Sequence, residues 1–203
     1  MLYIDQTVRK YLEDLGAKTP APGGGSVAAF QGSLGCGLLL MVANYTKGKE
    51  KYKEFEKDIV KAIDSLNKIK TELSDLIDKD VQAYTKLSEA YKTKDKQSIQ
   101  SALKEALQVP LNISKAASSG LAIAEEMEKK GNVNLITDVA IAAILLDGAF
   151  YSGKLNVDIN IVQIEDLTFK REVSRLMTKL EKGIEDKKDK ILRKVEEILR
   201  KGG

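Results

Sequence analysis

The chain has 203 residues, 43% of them hydrophobic, with three prolines, no histidine, no tryptophan and one cysteine, Cys36, and its formal net charge is +3. This predicts one domain, residues 1–203, around one core; a lone cysteine excludes a disulfide framework, and without histidine no plausible set of zinc ligands remains. The opening MLYIDQTVRKYLEDL is amphipathic and carries acids where a signal peptide needs a basic head and an apolar centre, so a cytoplasmic, metal-free protein is expected.

Proline and glycine are scarce after Gly48 and no period-two alternation stands out, so the reading is all-α: a helical bundle with a long central helix and a buried glycine-containing helix. A first helix is expected from Asp5 to Gly16, with the glycine as a left-handed cap. Next comes TPAPGGGSVAAF, Thr19 to Phe30, opening a second helix from Ser26 to Thr46. Val27, Phe30, Leu34, Leu38, Met41 and Tyr45 form a large-residue stripe on it. Ala28, Ala29, Gly32, Gly35 and Cys36 form a small-residue face against which neighbours can pack closely. The uncharged run Val27–Ala43 falls short of the usual ~20 residues of a membrane span, and Gln31 and Ser33 interrupt it, so burial in a bundle or at a dimer interface is the preferred reading.

From Tyr52 to Tyr91, Phe55, Ile59, Ile63, Leu66, Leu73, Ile77, Tyr84 and Leu87 recur at mostly three- and four-residue steps, one apolar stripe on a long helix. Asp80 falls on that stripe. Its carboxylate is either chemical or structural, paired with a lysine or capping a neighbouring helix. A further helix runs from Lys96 to Lys130, where Pro110 is expected to kink or break it, and Gly131 closes it. Asn134 is the expected N-cap of a central helix that ends near Gly153, followed by a turn and a short helix over KLNVDINIVQIED. In the tail, Val173, Met177, Leu180, Ile184, Ile191, Val195 and Ile198 stand at heptad-like steps with Lys187 in the vacant place, a packing stripe suited to a partner chain. Residues 170–201 hold twelve Lys/Arg against seven Asp/Glu. These charges alternate in sign without interleaved aromatics, which favours a solvated helix face over a nucleic-acid site.

The glycine turn fits neither a P-loop nor a dinucleotide fingerprint. It delivers flexible backbone to the start of an apolar helix, where free N–H groups favour an anion or a carbonyl-rich ring unless Ser26 caps them. Left-handed backbone is one reason for glycine there. Asp138 lies one turn inside the helix assigned to Asn134, a place where an acid ordinarily compensates the dipole. Asp147, nine residues on, is half a circumference away, so the two should not share one site in one chain; Asp147 serves another subunit or a salt bridge. Asn44 precedes Lys47, Lys49 and Lys51, which either complement a helix C-terminus or hold an anionic ligand. Cys36 reads as packing.

The stretch PAPGGGSVAAFQGSLGCGLLLMVANYTKGKEKY resembles the opening signature of the formiminotransferase-cyclodeaminase C-terminal family. The resemblance continues through LIDKDVQAY with Asp80 and Tyr84, Pro110, GNVNLITD with Asn132, Asn134 and Asp138, and LNVDIN with Asn156 and Asn160, up to about Asp166. Thr137 stands where a serine is expected. The resemblance implies an all-helical homodimer, with a folate site around the glycine loop near the subunit interface and the formiminotransferase domain absent. It implies Asp80 and Asp138 as catalytic candidates and Gly23, Gly24, Gly25, Ser26, Asn44, Lys49, Tyr84, Asn132 and Asn134 as substrate-binding candidates. Lysines near the site would hold the folate glutamate tail. The reaction would be either closure of 5-formiminotetrahydrofolate to 5,10-methenyltetrahydrofolate with loss of ammonia, or hydrolysis of the methenyl bridge to 10-formyltetrahydrofolate. Both need proton transfer and a folate clamp but no metal, and no cofactor beyond the folate. A rival from another class is a helical assembly protein that dimerises through its tail and glycine helix. Neither reading calls for nucleic acid or a membrane.

Overall fold

The structure, a computed structural model, describes residues 2–184 and 186–201, and about 89% of it is helical with no strand among the described residues. Seven helices follow one another: α1 Val8–Leu15, α2 Gly24–Thr46, α3 Glu56–Thr93, α4 Lys96–Lys130, α5 Ile136–Gln163, α6 Leu167–Ile184 and α7 Lys187–Lys201, with 3-10 turns at Tyr3–Asp5, Glu50–Phe55 and Val133–Leu135. Helices α2 to α5 pack side by side, and α6 and α7 lie across α4 and α5.

Helix α2 is the thin element that lets this packing close. Ala28, Ala29, Gly32, Gly35 and Cys36 are all buried, while Leu34 and Tyr45 on the large-residue stripe are exposed, so the helix is buried on its small face rather than on all sides. A Cβ on Gly32 would meet Leu73 at 3.1 Å and Ala149 at 3.3 Å; one on Gly35 would meet Leu146 at 2.9 Å and the Ala142 carbonyl at 3.2 Å. Two stretches, α2 and 133–163, are long and apolar enough to cross a bilayer by length and composition. In this fold they pack on each other and on α4.

Several boundaries differ from the sequence reading. Thr7, whose hydroxyl accepts from the Lys10 N–H at 3.1 Å, caps α1, and Gly16 has φ −82°, so no left-handed cap forms. Pro110 sits inside α4, which continues through it to Lys130. The ring removes one helical donor, that to the Ala106 carbonyl, and burial of the flanking turns offsets the loss. Asn134 does not cap α5: Asn132 accepts its N–H at 3.2 Å and starts a 3-10 turn, and α5 begins at Ile136. Nor does α5 end at Gly153. It runs ten residues further, because Gly153 serves packing: a Cβ there would lie 2.5 Å from the Ser114 hydroxyl and 3.0 Å from the Pro110 carbonyl.

The tail stripe is likewise filled within the chain. Val173, Met177, Ile184, Ile191 and Val195 are buried in the common core, and Lys187 pairs with Glu125 of α4. An assembly protein joined through that stripe is therefore excluded, since its apolar face is already covered. Asp147 takes the salt-bridge reading, with Lys188 at 3.7 Å; burial nonetheless pushes its carboxyl above the ordinary aspartate range.

Asn132 ties the far ends of α2 and α5. It is 4% exposed; its N–H donates to the Thr46 hydroxyl at 2.9 Å, its amide nitrogen to the Tyr45 carbonyl at 3.3 Å, and its amide oxygen accepts from Asn134 N at 3.2 Å and the Tyr52 hydroxyl at 3.4 Å. Asn132→Ala would remove the bonds to the buried Tyr52 hydroxyl, the Tyr45 carbonyl and the Asn134 N–H, so an unfolding free energy lower by about 1–3 kcal/mol is expected, measured by urea denaturation.

Candidate functional site

Where α2 starts, four elements converge on an open cleft of about 360 Å³, within the range of small-molecule sites. The turn before α2 contributes Pro20, Ala21 and Gly23 and the first residues of α2 contribute Gly24 and Gly25; α3 contributes Asp80, Ala83, Tyr84 and Leu87; α4 contributes Ala106 and Pro110; α5 contributes Asn156, Ile159, Asn160 and Gln163. Helical periodicity explains the selection. Asp80 and Tyr84, like Asn156 and Asn160, stand four residues apart and share a face. Ala106 and Pro110 do the same, and the carbonyl that Pro110 leaves without its helical donor belongs to a cleft residue.

Asp80 lies directly over the helix start. Its Oδ2 accepts the Ser26 N–H at 2.9 Å, and a Cβ on Gly25 would fall 2.0 Å from Oδ1 and 2.5 Å from Cγ. Glycine at 25 is thus required by the carboxylate, not by a left-handed turn: Gly23 has extended backbone, Gly24 and Gly25 are helical, and Gly48 is the glycine with positive φ among the described residues. Ser26 does not cap its own helix. Its hydroxyl bonds the Tyr11 hydroxyl at 3.0 Å, and Tyr11 stacks edge-on against Tyr3 and Phe30.

No lysine or arginine pairs with Asp80 among the described residues, so the structural ion pair weighed from sequence is absent and capping of α2 is the structural part it plays. Burial pushes its carboxyl above the ordinary aspartate range, and the Ser26 N–H pulls it partly back. A carboxyl raised in this way beside an open cleft is suited to take and return a proton. Asn156 and Asn160 donate their amide nitrogens back to Ser152 O at 2.8 Å and Asn156 O at 2.9 Å. Their amide oxygens remain as acceptors at the wall.

The sequence candidates fall into two groups. Gly23, Gly24, Gly25, Asp80 and Tyr84 line the cleft, and Ser26 stands behind it, buried, with its N–H turned to Asp80. Asn44, Lys49, Asn132, Asn134 and Asp138 lie at the opposite end of α2 and in the turn and first turn of α5, as do Lys47 and Lys51. At 1.5 Å per residue the length of α2 separates the groups by about 33 Å. One chain therefore does not bring Asp80 and Asp138 together. Leu87, Ala106, Ile159 and Gln163 were not foreseen, although each lies at helical spacing from a residue that was.

Asp78, another residue the sequence left unremarked, is buried on α3 two residues before Asp80 and accepts Tyr3 N at 2.6 Å and Ile4 N at 3.2 Å, fixing the N-terminal segment that supports Tyr11.

A family model described as formiminotransferase-cyclodeaminase matches residues 7–179. Among curated relatives, a methenyltetrahydrofolate cyclohydrolase of Methylorubrum extorquens is 33% identical over 177 residues, 83% of this chain and 85% of its own. The formimidoyltransferase-cyclodeaminase of Mus musculus is 28% identical over 186 residues, which cover 87% of this chain and 34% of that longer protein. A crystal structure described as formiminotetrahydrofolate cyclodeaminase from Thermotoga maritima superimposes with a TM-score of 0.92 at 30% identity, covering 96% of this chain and 98% of the other.

Gly25→Ala tests the seating of Asp80. The new methyl displaces the carboxylate from the Ser26 N–H, while alanine suits a helix better than glycine. Thermal melts are expected to show an intact fold, and turnover to fall by more than about tenfold.

Proposed function

The chain belongs to the formiminotransferase-cyclodeaminase family, and from that premise we propose that the cleft at Asp80 binds tetrahydrofolate and reworks its one-carbon bridge. The carrying observation is a raised carboxylate, without a cation partner among the described residues, held over the glycine start of α2 in a cleft of ligand size. In cyclodeamination, nitrogen 10 attacks the formimino carbon and Asp80 removes the proton that nitrogen 10 sheds. The same carboxyl returns a proton to the amine as the carbon–nitrogen bond breaks and ammonia leaves. In cyclohydrolysis a water adds to the methenyl carbon, Asp80 takes its proton, and protonation of nitrogen 5 opens the ring. Glycine backbone at the cleft floor admits the flat pterin, and the amide oxygens of Asn156 and Asn160 accept from its N–H groups.

The enzyme works without metal or further cofactor on this reading; support comes from the residue set, in which no cluster of three His, Cys, Asp or Glu side chains could hold an ion among the described residues. It acts in the cytoplasm, and neither nucleic acid nor membrane takes part. The tail cations lie on solvated faces of α6 and α7, several of them paired with Glu125, Asp147 and Glu197.

The active form is a homodimer. Support comes from an exposed apolar stripe along α5 through Ile141, Ile144, Leu155, Ile159 and Val162, with Leu155 70% and Val162 69% exposed; a monomer rarely leaves such a run to water. Ile159 also lines the cleft, so a second copy on this stripe would stand at its mouth. With the two-fold axis across the helices, the partner's opposite end, including its copies of Asn44, Lys49, Asn134 and Asp138, would approach Asp80.

Two variants, Asp80→Asn and Leu155→Glu, test the reading. Asp80→Asn retains an acceptor for the Ser26 N–H, so turnover is expected to drop about a hundredfold or more in both ammonia release from 5-formiminotetrahydrofolate and methenyl hydrolysis, with a strong chelator leaving the parent rate unchanged. The acid limb of the parent's pH profile should stand above the ordinary aspartate pKa. A raised carboxyl destabilises the fold when charged, and that cost disappears as pH falls through the folded pKa. Asp80→Asn should therefore be at least as stable as the parent at pH 7, and lose that advantage in acid. An unchanged rate in the variant removes Asp80 from the chemistry. For the dimer, sedimentation should give a two-chain species that Leu155→Glu splits into single chains; a monomeric parent would refute it.

A further inference from the structure

No residue from Val81 to Ala102 is buried, although this stretch comprises the last turns of α3 and the first of α4. These turns form a helical finger that stands away from the core, with Leu87 and Ile99 giving it partial apolar contact. The tip is fastened instead by polar groups. The Tyr91 hydroxyl donates to Gln163 Oε1 at 2.6 Å, Gln100 Nε2 to the Gln163 carbonyl at 3.0 Å, the Glu165 N–H to Gln100 Oε1 at 2.8 Å, and Lys96 pairs with Glu165 at 2.9 Å. All are exposed, and each such bond contributes little against water.

The two sides of this fastening are the two walls of the cleft. Tyr84 and Leu87 sit on the finger, Asn160 and Gln163 on α5, and Tyr91 and Gln163 bridge between the walls. About two turns below the finger, in the buried part of α4, Pro110 leaves the Ala106 carbonyl without its helical bond and loosens the stretch that carries the finger. Weak apolar anchorage, an exposed latch and a missing helical bond beneath them describe a segment at the low-stability end of a fold.

We infer that residues 81–102 act as a lid: the finger bends where α3 and α4 leave the core, the Tyr91–Gln163 latch opens and closes the mouth of the cleft, and ligand enters and leaves by that movement. The inference rests on the cleft being the site of turnover, and the finger's motion can be measured without any ligand.

In hydrogen exchange of the free protein, amides of 84–102 are expected to exchange at least about a hundredfold faster than those of 59–73 in the buried part of α3, through an opening that leaves the core folded. Tyr91→Phe removes one latch bond and should speed finger exchange roughly fivefold without changing exchange at 59–73. In a Cys36→Ala background, Tyr91→Cys and Gln163→Cys are joined by a cleavable bismaleimide. The joined protein should lose more than about tenfold in turnover and regain it on cleavage. Finger amides as protected as the core, or undiminished turnover in the joined protein, would overturn the lid. If the parent turns over neither folate, the enzyme reading fails while the exchange contrast still decides the finger; if the double variant does not fold, Tyr91→Phe exchange decides it.

Discussion

The space where Gly25 has no Cβ is filled by the Asp80 carboxylate, and the same substitution of a neighbour's atoms for a missing side chain recurs along α2, where Leu73 and Ala149 close on Gly32 and Leu146 closes on Gly35. Close approach of backbones brings α3 and α5 against one thin helix. Once they are there, the registers of α3 and α5 decide which residues reach the start of α2. Asp80, Tyr84, Asn156 and Asn160 are in place because of helical periodicity measured from those glycine contacts. A site assembled in this way is positioned by rigid elements, and the turn before α2 supplies its floor.

Much of this was legible in the chain. The stripe Ile59, Leu66, Leu73 and Ile77 is fully buried, and its period gave both the helix and the anomaly at Asp80, a carboxylate where the pattern calls for an apolar group. The small face of α2 was equally plain. Glycine was misread where its two uses look alike: Gly153 carries the same signature as a helix stop, and the packing of Ser114 that requires it is visible in three dimensions alone. The tail failed for a related reason, since a heptad stripe records that a face is covered and not whether the cover belongs to the same chain. The structural bonds of Asp78 and Asn132 were opaque because their partners lie 75 and 86 residues away.

Helices α2 and α5 run antiparallel, and both of their junctions are occupied. One end carries the cleft; at the other, Asn132 welds the last turn of α2 to the first of α5 through Thr46 and Tyr45. Polar atoms used in that weld are turned inward, so Asn132 contributes rigidity there, whereas Asn44, Lys49 and Asn134 remain at the surface. The fold thus separates a tightly bonded end from an open one, and the finger on α3 and α4 belongs to the open end.

Cys36, placed among the small residues that let α2 pack closely, is completely buried, and burial pushes its thiol up to about 12. At any physiological pH the sulfur is protonated and out of reach of peroxide or a foreign disulfide, which act on an exposed thiolate. With no second cysteine in the chain, the packing that shapes the cleft also keeps the one thiol out of disulfide chemistry.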